Sequence, residues 1–162
     1  MKIHFLISLV FLLLTPTYSW SESMENLVLS DGLFYERSSN TPYSGELNDN
    51  RSQGLIINGK QDGPWVAYWK NGQISSKGNY RNGEQEGLWI YYYDNGSLWS
   101  EESWKDGKQD GPWITYWDNG KLRSKGNYVN GKQEGTWASY WKNGEISEWE
   151  SGTFKNGERI SE

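Results

Sequence analysis

Two adjacent carboxylates, Glu101 and Glu102, are the side chains in this sequence best suited to chemistry. A pair of acids can serve as proton donor and nucleophile or base across a glycosidic bond, so a glycosidase is the enzyme class the residues permit. Four further acids, Asp62, Glu86, Asp110 and Glu134, recur at one spacing beside turns. That repetition suits a structural role, because a catalytic site is asymmetric. Other chemistries lack their reagents. The chain has no Cys and a single His, His4, which falls in a leader-like segment. Ser-His-Asp and Cys-His nucleophiles are therefore excluded from the rest of the chain. The usual nitrogen and sulfur ligands of zinc are missing as well. Asn48-Asp49-Asn50-Arg51-Ser52 has some look of a calcium loop, but its twelfth position is Gly59 instead of Glu. No cofactor and no metal are expected, and binding is the favoured role.

The elements that would position Glu101 and Glu102 belong to a repeat. Gly63, Gly87, Gly111 and Gly135 stand 24 residues apart. Trp65, Trp89, Trp113 and Trp137 keep the same step, as do Tyr68, Tyr92, Tyr116 and Tyr140. Gly72, Gly96, Gly120 and Gly144 complete the register. Asn-Gly or Asp-Gly occurs twice per period, and such a pair between alternating runs signals a β-hairpin. The fold class expected is all-β: an elongated, twisted antiparallel meander of 24-residue hairpin repeats, largely single-layer.

A two-residue turn at Asn71-Gly72 would set Trp69 opposite Ile74, Ala67 opposite Ser76 and Trp65 opposite Gly78. An aromatic ring can then lie over the strand glycine and shield its backbone. Strand alternation places Trp65, Trp89, Tyr91, Tyr93, Glu102 and Trp104 on one face. Tyr92, Trp99 and Glu101 go to the other. Leu, Ile and Val are sparse, so the Trp and Tyr columns must supply most of the cohesion.

The first residues look different. Lys2 and His4 precede an apolar run from Phe5 to Leu14, then Thr15, Pro16 and small polar residues. These are the parts of a secretory signal peptide, cleaved after Ser19 or Ser21. The run is short of the ~20 apolar residues that span a bilayer. The organisation expected is a signal peptide at 1–21, a lead-in with a partial repeat at 22–57, hairpin repeats at 58–157 and a C-terminal tail at 158–162. An exported chain without disulfides reads as a periplasmic or secreted bacterial protein. The net charge is −5, which repels phosphate backbones and argues against nucleic acid. It equally disfavours anionic membrane lipid. Asn95-Gly96-Ser97 matches a glycosylation sequon but lies in an expected turn.

The phrase from Asn58 to Gly72, with Gln61-Asp62-Gly63-Pro64-Trp65 inside it, returns from Asp106 to Gly120. Ser76-Lys77-Gly78-Asn79-Tyr80 returns as Ser124-Lys125-Gly126-Asn127-Tyr128. Together they resemble the MORN-repeat variant family over roughly residues 33 to 157. Leu33-Phe34-Tyr35-Glu36-Arg37 and Thr41-Pro42-Tyr43-Ser44-Gly45 are similar to the opening of bacterial members labelled YwqK-type antitoxins. The resemblance implies an open sheet of hairpins that binds another protein, antitoxin-like toward a toxin in the same exported compartment. The stretch from Leu88 to Asp94 bears a distant likeness to choline-binding wall repeats, so a cell-wall polymer is the second partner class.

The repeat breaks once. Where other units carry Ser-Lys-Gly, the middle one carries Ser100-Glu101-Glu102, with Trp99 before it and Trp104 in a Tyr column. Positions that break a local rule are candidate functional sites. Tyr91, Tyr93, Trp99, Glu101, Glu102 and Trp104 are accordingly the candidate binding residues, an aromatic and acidic set suited to a protein segment or a cation.

Overall fold

Each period supplies two strands and two turns, and the two turns are of different kinds. The structure, a computed structural model, describes residues 21–37 and 39–161. The leader expected at 1–21 lies outside them but for its last residue. At Asn58-Gly59, Asn82-Gly83, Asp106-Gly107, Asn130-Gly131 and Asn156-Gly157 both residues have positive φ. These are two-residue type I′ turns, as their sequence predicts. At Gly72, Gly96, Gly120 and Gly144 only the glycine is left-handed. There the Gly72 amide donates to the Trp69 carbonyl at 2.9 Å and the Trp69 amide to the Gln73 carbonyl at 2.8 Å. That is a three-residue loop, a turn closed by a left-handed glycine. Asn71 is present for another reason: its Oδ1 accepts the Gln73 amide at 3.0 Å, a side chain mimicking the backbone of a turn.

The longer loop corrects the expected register. Tyr68, not Trp69, faces Ile74, and the register slips between Ala67 and Tyr68, leaving Ser75 over. The same slip leaves Trp99 over between Tyr91–Ser100 and Tyr92–Leu98. Deeper in the hairpin the expected pairs Ala67–Ser76 and Trp65–Gly78 do form.

The strands in chain order are β1 (Ser21–Glu22), β2 (Leu27–Ser30), β3 (Leu33–Glu36), β4 (Gly45–Asn48), β5 (Ser52–Ile57), β6 (Lys60–Tyr68), β7 (Ile74–Arg81), β8 (Glu84–Tyr92), β9 (Leu98–Lys105), β10 (Lys108–Tyr116), β11 (Leu122–Val129), β12 (Lys132–Ser139), β13 (Gly152–Lys155) and β14 (Glu158–Ser161). From β4 to β14 each strand pairs with the next, antiparallel throughout, so the expected all-β meander is what the chain forms. β1 adds in parallel outside β4, and β2–β3 is a separate hairpin. The tail residues Glu158–Ser161 supply the last strand.

Cohesion comes from one face. Trp65, Trp89 and Trp137 are 5, 2 and 5% exposed. Their rings alternate with tyrosines edge to face: Trp65–Tyr80 at 5.7 Å, Tyr80–Trp89 at 4.9 Å, Tyr128–Trp137 at 5.0 Å. At roughly 25 cal/mol per Å² and about 150–250 Å² per ring, each buried Trp contributes several kcal/mol before entropy. Each ring lies over a glycine, but not the one first expected. A Cβ on Gly54 would fall inside the Trp65 ring, one on Gly78 inside Trp89, and one on Gly126 inside Trp137. The covered glycine thus sits on the strand before the Trp, where Gly78 had been read as the partner of Trp65. At the N-terminal end Leu27, Tyr43, Leu47 and Ile56 join this cluster, with Met24 and Phe34 packed against it.

The acid column is structural. Asp62, Glu86 and Asp110 accept the backbone amides of Asn82, Asp106 and Asn130 at 3.0 Å, and Glu134 that of Asn156 at 2.9 Å. Each acid fastens the two-residue turn of the next unit, past the intervening three-residue loop. Gly63 and Gly87, at φ 82° and 71°, belong to bulges that leave the acid free to reach that turn.

Candidate functional site

Glu102 occupies the column that holds Gly54, Gly78 and Gly126 elsewhere. It pairs with Trp89 on one side and Trp113 on the other. Where its column mates are covered by the next ring, Glu102 has a side chain in the way. Trp113 is correspondingly only partly buried, unlike Trp65, Trp89 and Trp137. Tyr91 is a second departure in this unit: its column holds Ala67, Thr115 and Ser139 elsewhere, and its ring stacks on Trp89 at 5.9 Å and 27°.

The result is an open groove of about 640 Å³ on the Trp face, lined by Tyr91, Trp99, Glu102, Trp113, Thr115, Arg123, Ser124, Ser139 and Glu150. The register slip explains how Trp99 reaches it. As the leftover residue of a bulge it turns to the Trp face, with ring centroids 5.8 Å from Tyr91 and 6.2 Å from Tyr93. The simple alternation had assigned Trp99 to the opposite face, and the longer loop overturns that. Trp104 adjoins Trp113 at 6.2 Å.

Glu102 is 5% exposed. The Ser100 hydroxyl donates to its Oε1 at 2.7 Å and the Trp104 Nε1–H to its Oε2 at 3.2 Å. Burial pushes its carboxyl above the ordinary carboxylate range, and these two donors pull it partly back. Tyr91 is raised to about 12, mainly by burial, while the Gln85 amide that donates to its hydroxyl opposes the shift. It therefore stays protonated near neutral pH.

Glu101 goes elsewhere. It pairs with Ile90 and Ile114, and its Oε2 accepts the Tyr116 hydroxyl at 3.1 Å. Tyr92 shares that second face, with the Lys77 ammonium 5.7 Å from its ring. Tyr93 spans to the next hairpin, its hydroxyl donating to the Tyr116 carbonyl at 2.8 Å. The structure thus brings Tyr91, Trp99 and Glu102 together, with Tyr93 and Trp104 flanking them, and leaves Glu101 out. Arg123, Thr115, Ser124, Ser139 and Glu150 line the groove but were not among the sequence candidates. Arg123 shares the bulge column with Trp99, which is the signal that would have found it. Its guanidinium lies 4.6 Å from the Trp117 ring centre. Thr115 has only its hydrogen bond to Ser124, 2.7 Å, to mark it.

The MORN repeat variant family matches residues 61–82, 85–106 and 109–130. The match is narrower than the likeness read from the sequence, and it includes Tyr91, Trp99, Glu102 and Trp113. No curated protein matches the chain.

Proposed function

We propose that this chain, whose residues 61–130 carry three consecutive MORN-variant repeats, is a non-catalytic platform that binds another protein through the groove beside Glu102. The observation that carries the reading is the one column break in the repeat. It replaces a covered glycine by a buried acid and leaves aromatic rings in an open groove. Buried aromatic anchors in a recess are what binding surfaces are built from. The catalytic alternative loses its reagents: Glu101 and Glu102 sit on opposite faces of one strand, so they do not flank a common bond. The leader-like start, Lys2 before the apolar run Phe5–Leu14, supports export, and with it a partner in the same compartment. An antitoxin-like or immunity-like role toward an exported toxin fits that placement.

The test is cross-linking and co-purification from an exported fraction. A protein captured at a fixed ratio, lost on Trp99→Ala and kept with Tyr68→Phe on the opposite face, is the expected result. Retention on purified cell wall, with no protein partner, would replace this reading by a wall-polymer one.

A further inference from the structure

A buried carboxylate is costly unless it is paired. Glu102 is the one charged side chain among the buried described residues. Two donors reach it, whereas a carboxylate has about four acceptor sites. Among the described residues no cation lies within ion-pair distance of it. Arg123 lines the same groove, yet its guanidinium is placed on the Trp117 ring. Glu102 thus holds spare acceptor capacity in a recess open to solvent.

The walls complement a cation that has an apolar stem. Trp99, Trp113 and Tyr91 present ring surface, and a cation over such faces gains from the ring quadrupole. The methylenes of a lysine or arginine pack on aromatic surface while the head seeks charge. Glu150 in the same lining offsets Arg123, so Glu102 leaves the groove negative overall. The chain as a whole carries −5, which draws basic partners toward it.

We propose that the groove takes a basic side chain, lysine or arginine, of the protein partner, its charge on Glu102 and its stem between Trp99 and Trp113. This rests on the protein-binding reading above and names the chemistry of that contact. The column break has a defined purpose in this account. A glycine at 102 would let the Trp113 ring settle as its equivalents do, and the recess would close.

The probe is the acetylated, amidated tripeptide Gly-Lys-Gly, with Gly-Gln-Gly as its uncharged control. Binding is read by NMR from the indole N–H signals of the full protein. Gly-Lys-Gly should give saturable shifts at Trp99, Trp104 and Trp113, and Gly-Gln-Gly should bind at least about tenfold more weakly, as expected for a poorly solvated charge contact. Glu102→Gln, which keeps an acceptor for Ser100 and Trp104, should weaken Gly-Lys-Gly by a similar factor. Glu102→Gly, which restores the residue this column holds elsewhere, should remove the shifts while the fold persists. Equal binding of the two peptides, no saturable shift with Gly-Lys-Gly, or unchanged affinity in Glu102→Gln would overturn the inference. The two readings separate cleanly. A protein partner lost on Trp99→Ala and on Glu102→Gly but kept by Glu102→Gln leaves the groove platform standing and removes the basic side chain from it.

Discussion

Gly126 and Glu102 hold the same place in successive units, and the units around them are built differently. Around Gly126 the next ring, Trp137, lies flat on the strand and is 5% exposed. Around Glu102 the next ring, Trp113, is left partly open, and a groove stands where the regular unit has core. One residue therefore trades cohesion for a recess. In a sheet with a single aromatic layer that exchange is local. Each hairpin contacts chiefly its neighbours, so one unit can lose packing while the rest keep theirs.

Removing the rings should show the contrast most strongly. Trp89→Ala and Trp137→Ala should each cost about 3–5 kcal/mol in urea unfolding, as for other large core truncations. Trp113→Ala should cost roughly half as much, because less of its surface leaves water. Equal costs for all three would erase the distinction between the units.

Exchanging the column residues comes next. Gly126→Glu places a side chain inside the Trp137 ring and should destabilise by about 1–3 kcal/mol or more through overpacking. Glu102→Gly should be neutral or stabilising by thermal unfolding, since it removes a buried acid and lets a ring settle. A large loss of stability in Glu102→Gly would mean that the acid is itself a structural member.

The turns should differ by less. Asn82 has a φ of 52° and Asn71 is not left-handed. Asn82→Ala should cost about 1–2 kcal/mol, the left-handed penalty that the short polar side chain of asparagine relieves and a methyl does not. Asn71→Ala should cost about 0.5–1 kcal/mol, for lost exposed hydrogen bonds to Gln73 and Asp94.

The smallest effect is on pH dependence. The carboxyl of Glu102 is raised from an ordinary value of 4.5, so only between the unfolded and folded values does the folded chain bind more proton there than the unfolded chain; above both it is the carboxylate. Stability from this group is full below the unfolded value and falls as pH rises through the folded one. Asp49 has the opposite sign. Its carboxyl is lowered: burial, the largest influence, opposes the shift, but amide donors from Met24, Arg51 and Ser52 outweigh it. Its contribution is present above the unfolded value and is lost as pH falls through the folded one. Denaturation midpoints across acidic pH should therefore lose their downward slope with rising pH in Glu102→Gln, and only there.

Much of this architecture was legible. The 24-residue step fixes strand, turn and face for Trp65, Trp89 and Trp137, because side-chain alternation and Gly spacing leave little freedom. The acid column was recognised as structural, though not that each acid grips the two-residue turn of the next unit. What the letters hide is the kind of turn. Asn71-Gly72 and Asn82-Gly83 are the same dipeptide, yet only the second has both residues left-handed. One extra loop residue moves Trp99 to the groove and could not be read from the pair alone. The parallel contact of β1 with β4 was equally hidden, since no local pattern encodes it. Glu102 was visible as an exception, but its burial follows from Trp89 and Trp113 on either side of it, which only the assembled sheet brings together.

The exposure of Trp113 in a crystal structure of the Glu102→Gly variant tests the central claim most directly. The account predicts that its ring settles on residue 102 and joins Trp65, Trp89 and Trp137 at 2–5% exposure, with the groove closed. A Trp113 that stays partly open over a glycine would contradict it, and would show that the recess does not come from the acid.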